Sequence, residues 1–76
     1  MPEFKVELDV RDEDCPQPVM KTKQLLKDMS SGEVLHVMAT DPTAEHDIEV
    51  LLGALRDTLL ESSFENGVYH FYIEKI

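Results

Sequence analysis

Alternation opens the chain. In FKVELDV, residues 4–10, Phe4, Val6, Leu8 and Val10 fall on one face and Lys5, Glu7 and Asp9 on the other. A period of two marks a half-buried strand. The period then changes. In PQPVMKTKQLLKDMSS, residues 16–31, Val19, Thr22, Leu26 and Met29 recur at helical spacing, and Met20 and Leu25 widen the stripe. Pro16 lacks a backbone N–H and suits a first helical turn. Lys27 suits the negative end of the helix dipole, and Gly32 stops the run. EVLHVMAT, residues 33–40, alternates again, with Leu35, Val37 and Ala39 opposed to Val34, His36, Met38 and Thr40. Asp41-Pro42 breaks this strand. Thr43 or Asp41 can cap a second helix, whose apolar stripe is Ala44, Ile48, Leu51, Leu52 and Leu55 and whose end lies near Arg56-Asp57. TLLESSFE, Asn66-Gly67 and VYHFYIEK then read as strand, hairpin turn and strand, with Tyr69, Phe71 and Ile73 on one face.

The element order is β-α-β-α-β-β. The first two strands and the helix between them form a crossover unit, which should be parallel and right-handed. The last two strands are antiparallel. Each strand keeps one polar face, so both helices cover the same side. The expected fold class is α+β: a two-layer sandwich with a mixed four-stranded sheet and both helices on one face, residues 1–76 forming a single domain. His36, Met38, His70 and Tyr72 fall on the open face, which is expected to be solvated. His46, between Glu45 and Asp47, is expected on the helix surface.

Composition narrows function more than fold. A chain of 76 residues buries roughly 60% of its unfolded surface, which leaves little room for a deep active site. That favours a carrier, a binding module or a small subunit. The apolar fraction, 42%, is too high for a disordered chain. No apolar run approaches the roughly 18 residues of a membrane span, and MPEFKVELDV lacks the basic and apolar regions of a secretory leader, so a cytoplasmic protein without a membrane partner is expected. The net charge of −9 would repel a polyanion, which argues against direct nucleic-acid binding and favours basic protein surfaces. His36, His46 and His70 lack metal-ligand spacing, and there is no Gly-rich phosphate loop. Neither a metal nor a cofactor is expected.

The candidate chemistry lies in DEDCPQP, residues 12–18, which holds the only cysteine. A single cysteine excludes an internal disulfide. The pattern puts Cys15 at the N-cap of the first helix, where the positive end of the helix dipole lowers a thiol pKa. Pro16 and Pro18 remove two donors, leaving Gln17 as the one early N–H for the sulfur. Asp12, Glu13 and Asp14 oppose the helix end by a comparable amount. The balance predicts a thiol near its ordinary value, about 8.5. That excludes an autonomous, strongly acidic nucleophile but not thiol exchange, where the best attacker has a pKa near ambient pH. Position 18 is proline, so there is no Cys-x-x-Cys cycle. Covalent carriage remains, with the prolines stiffening the loop and holding the sulfur outward. The bland alternative is a small residue that happens to precede a helix. Lys21, Lys23 and Lys27 form the basic cluster of that helix; they steer an acidic donor loop or are ordinary solvated lysines. Met20 and Met29 read as core.

CPQPVMK at the helix start, GEVLHVMATDP across the second strand and the Asn-Gly hairpin together resemble the TusA/SirA family of sulfur-carrier proteins. The resemblance runs from Leu8 to Lys75. It implies the same β-α-β-α-β-β sandwich, with Cys15 as the persulfide-carrying residue. It implies a donor (a cysteine desulfurase or a rhodanese-like protein) and an acceptor protein with a reactive cysteine, in tRNA thiolation, molybdenum-cofactor synthesis or sulfur oxidation. Pro16 and Pro18 would shape the loop, and Asp41 would be a second signature position. Asp12 and Glu13 stand where the family usually has Gly-Leu, so the loop is expected to be more acidic and less docked on the core. Leu51 and the Arg56-Asp57 turn replace a usual aromatic residue and a Gly-His-like turn. Asp12, Glu13, Asp14, Lys21 and Asp41 are the candidate partner contacts. Two other readings stay open: a regulatory or protein-interaction module in which Cys15 is dispensable, and a selenium-handling carrier.

Overall fold

The computed structural model describes residues 4–76; residues 1–3, which begin the stretch weighed above for a leader, lie outside them. The elements are β1 (Val6–Val10), α1 (Gln17–Asp28), β2 (Val34–Ala39), α2 (Ala44–Leu55), β3 (Thr58–Glu65) and β4 (Val68–Glu74), in the expected order. β1 pairs parallel with β2, Val6 opposite Leu35 and Val10 opposite Ala39. β4 lies antiparallel against β2, and β3 pairs antiparallel with β4, so the sheet order is β1-β2-β4-β3. Asn66 and Gly67 take φ of 53° and 79°. Positive φ at both turn residues is the type I′ geometry, whose twist matches that of the strands it joins. Because β1 and β2 are parallel neighbours, the loop after β1 and the turn after β2 leave the sheet side by side. That juxtaposition builds the site.

Alternate strand residues, namely Val10, Leu35, Val37, Ala39, Phe71 and Ile73, form one core with Leu26 of α1 and Ala44, Ile48 and Leu52 of α2. Both helices therefore cover one face. Two details of α1 differ from expectation. The helix begins at Gln17 and ends at Asp28, with Pro18, Thr22 and Leu26 as its buried line. Pro18 is thus a core residue of the first turn, and its carbonyl accepts the Thr22 hydroxyl at 2.7 Å. Met20 lies about 200° around the helix from Pro18 and is 56% exposed, not core. α2 stops where Arg56 takes φ of 65° and donates its N–H to the Leu52 carbonyl at 2.7 Å.

The open face is less solvated than its sequence suggests. His36 and Tyr72 are neighbours across β2 and β4. They are only 5% and 2% exposed. Phe4 accounts for part of this, with its ring centroid 4.9 Å from that of His36. The His36 and Tyr72 rings stack at 4.4 Å, nearly parallel. His36 Nε2 and His70 Nδ1 share a hydrogen bond of 2.9 Å. Burial pushes His36 below its ordinary pKa and the charge of His70 adds to this, while Glu7, 3.4 Å from Nδ1, opposes it.

Candidate functional site

The site is assembled from the β1–α1 loop and the β2–α2 turn. Asp12 takes φ of 65°, and its N–H donates to the Thr40 hydroxyl at 2.8 Å. The Glu13 N–H donates to the Val10 carbonyl at 3.3 Å. The loop is therefore docked, contrary to the expectation drawn from its acids: backbone N–H groups hold it, and the Glu13 carboxylate reaches Lys21 of α1. The Cys15–Pro16 peptide is cis. The Gln17 N–H closes a turn on the Asp14 carbonyl at 2.9 Å. Pro16, not Cys15, is consequently the residue before the helix. Gln17 does not serve the sulfur, because its N–H is already committed to Asp14.

Asp41 supplies the anchor. One carboxylate oxygen accepts the Cys15 N–H. The other accepts both the N–H and the hydroxyl of Thr43, each at 2.9 Å. These donors hold the Asp41 carboxyl below the usual carboxylate range, the Thr43 N–H most strongly. Asp41 thus starts α2 and fixes Cys15 with one side chain. Asp47 completes the site from the first turn of α2. Its Oδ2 accepts the Cys15 thiol at 3.2 Å and lies 3.3 Å from the Thr43 hydroxyl, whose single proton sits closer to Asp41. The hydrogen bond to Asp47 pushes the thiol above its ordinary pKa; reduced hydration and the charges of Asp47 and Asp41 add to this, and the Thr43 hydroxyl opposes it. The near-ordinary thiol expected from sequence is corrected upward. The helix N–H meant to favour the thiolate is engaged elsewhere, and a carboxylate from another element favours the thiol.

Of the residues singled out beforehand, the structure brings Cys15 and Asp41 together. It adds Thr43 and Asp47, which sequence reasoning missed. The only sequence signal for them is the i, i+4 spacing of Thr43 and Asp47 just after Asp41-Pro42. Glu13 and Lys21 pair with each other at 2.6 Å, which ties the Lys21 ammonium to the loop. Asp14 contributes its carbonyl to the Gln17 turn. Cys15 is exposed. It stands at the rim of an open depression of about 460 Å³ lined by Val19 of α1 and His46, Val50, Leu51 and Ala54 of α2. His46 is on the surface, as expected. Leu51 forms part of this apolar floor. The chemistry on offer is an exposed thiol, hydrogen-bonded to a carboxylate of α2, beside a small apolar surface.

The family model described as "Sulfurtransferase TusA" matches residues 6–75. The chain is 43% identical over 75 residues to "Sulfur carrier protein TusA" of Allochromatium vinosum, covering 99% of both chains. It is 36% identical over 61 residues to a "Putative sulfur carrier protein" of Archaeoglobus fulgidus, covering 79% of each. In fold it is similar to the crystal structure of a SirA-like protein from Desulfitobacterium hafniense. The TM-score there is 0.83 at 21% identity, over 92% of this chain and 96% of that one.

Proposed function

We propose that this chain, which belongs to the TusA family, is a sulfur carrier that bears sulfane sulfur as a persulfide on Cys15. The observation that carries the reading is the pinning of an exposed cysteine by Asp41: the two motif residues, distant in sequence, meet at one edge of the sheet. A rigidly presented thiol with no resolving cysteine suits passage of a group between proteins. In loading, Cys15 sulfur attacks the sulfane sulfur of a donor persulfide. The donor's S–S bond breaks, a new S–S bond forms on Cys15, and the donor cysteine leaves as a thiol. In unloading, an acceptor thiol attacks the same sulfane sulfur and Cys15 is restored. The donor would be a cysteine desulfurase or a rhodanese-like protein, and the acceptor a protein with a reactive cysteine, in the cytoplasm. The chain acts as a single domain and needs no cofactor of its own. No helix among the described residues is long and apolar enough to cross a membrane.

Incubation with a cysteine desulfurase and cysteine, followed by intact mass spectrometry, tests the reading. Wild type should gain one sulfur mass and Cys15→Ser should gain none. No gain on wild type, or an equal gain on Cys15→Ser, rejects it.

A further inference from the structure

We propose that Asp47 is a latch on Cys15: its carboxylate holds the thiol of the empty carrier protonated and turned toward α2, and releases the side chain once a sulfane sulfur is loaded. The inference rests on Cys15 being the carrier residue.

The geometry is specific. The sulfur lies 3.2 Å from Asp47 Oδ2. That oxygen also contacts the Thr43 hydroxyl, at 3.3 Å, and Thr43 is itself oriented by Asp41. Asp47 is thus set in place by a chain of contacts. A carboxylate accepts a hydrogen bond from a thiol but has nothing to accept from an anion. Loading changes which of these it faces. In R–S–SH + Cys15–SH → R–SH + Cys15–S–SH, the sulfane sulfur exchanges one S–S bond for another. It needs neither oxidant nor reductant, and the Cys15 proton ends on the donor thiol. The persulfide is a stronger acid than the thiol and ionises at neutral pH. Its terminal sulfur, one bond beyond the Sγ that contacts Asp47, then carries a negative charge, and it and the carboxylate repel. The side chain swings outward, where an acceptor reaches the sulfane sulfur.

The carboxylates of Asp41 and Asp47 act on Cys15 in the same sense. Asp41, Asp47 and His46 come from α2 and its approach. Asp14, Glu13 and Lys21 come from the loop and α1, and the last two neutralise each other. Thiol and persulfide therefore meet a site in which Asp47 is the carboxylate in contact with sulfur.

The test is the pH profile of alkylation of Cys15 by iodoacetamide, a neutral probe, in wild type and Asp47→Asn. Asparagine keeps the size and the hydrogen-bonding oxygen and removes the charge. At neutral pH the empty Asp47→Asn carrier should alkylate about fivefold faster, the scale of an exposed charge interaction, with its profile displaced to lower pH. On carrier loaded with one sulfur the two proteins should react at nearly equal rates, because the latch is already open. An unshifted profile for the empty carrier, or the same ratio in both states, overturns the latch. If Asp47→Asn loses its far-ultraviolet dichroism, Asp47→Ala serves with the same expected direction. Failure of wild type to load would reject the carrier reading itself. Normal loading with an unshifted Asp47→Asn profile rejects the latch alone.

Discussion

Asp12 holds the loop that presents Cys15, and it does so from the left-handed region, with φ of 65° and its N–H on the Thr40 hydroxyl. In that region the Cβ of an ordinary L-residue crowds the following carbonyl, at a cost of roughly 1–2 kcal/mol. Aspartate tolerates it better than most, because its short polar side chain bonds locally. Glycine has no Cβ, but its freedom in the unfolded chain returns roughly 0.5–1 kcal/mol of the gain. Asp12→Gly and Asp12→Ala both delete the carboxylate, so its charge cancels between them and only the Cβ remains. The difference should favour glycine by about 0.5–1 kcal/mol. For a domain of this size 1 kcal/mol moves the midpoint by roughly 4–8 °C. Thermal melts followed by circular dichroism, checked by urea midpoints, should place glycine above alanine by about 2–8 °C. Equal midpoints, or alanine above glycine, would refute a left-handed backbone at residue 12.

Burial, with the charge of His70, sets the folded pKa of His36 below the unfolded value of about 6.5. The unfolded state then binds more protons in that window. The stability linked to His36 is fully present above about pH 6.5 and is lost as pH falls through the lowered value. Melting temperature should drop with acidification in wild type and drop less in His36→Phe, which keeps the stack on Tyr72; parallel slopes would reject this. Leu26 is fully buried among both helices and the sheet. Leu26→Ala should cost roughly 3 kcal/mol, a large share of the roughly 4–11 kcal/mol expected for a chain of this length. A urea midpoint within error of wild type would contradict the packing described.

The elements were legible because they rest on periodicity and turn chemistry. Val10, Leu35, Val37, Phe71 and Ile73 alternate onto one face, and Asn66-Gly67 fits only a tight hairpin. Cys15 and Asp41 were legible through the motifs around them. What escaped the sequence has no period. The contact between Cys15 and Asp47 joins residues 32 apart in sequence, and exists because two parallel strands release their loops side by side. Gln17 looked like a donor to sulfur until the fold showed its N–H on Asp14. His36 and Tyr72 read as solvated because alternation assigns a face. Alternation does not reveal that Phe4 lies across that face.

The carboxylates about Cys15 also sort small reagents by charge. Asp41 and Asp47 stand near the sulfur on a chain of net charge −9. Physiological salt screens such charges beyond about 8 Å, so the bias is local to the last approach. A negatively charged disulfide such as oxidised glutathione meets repulsion there, whereas a neutral or cationic disulfide does not. The same charges leave the approach of a neutral or positively charged surface to Cys15 unopposed.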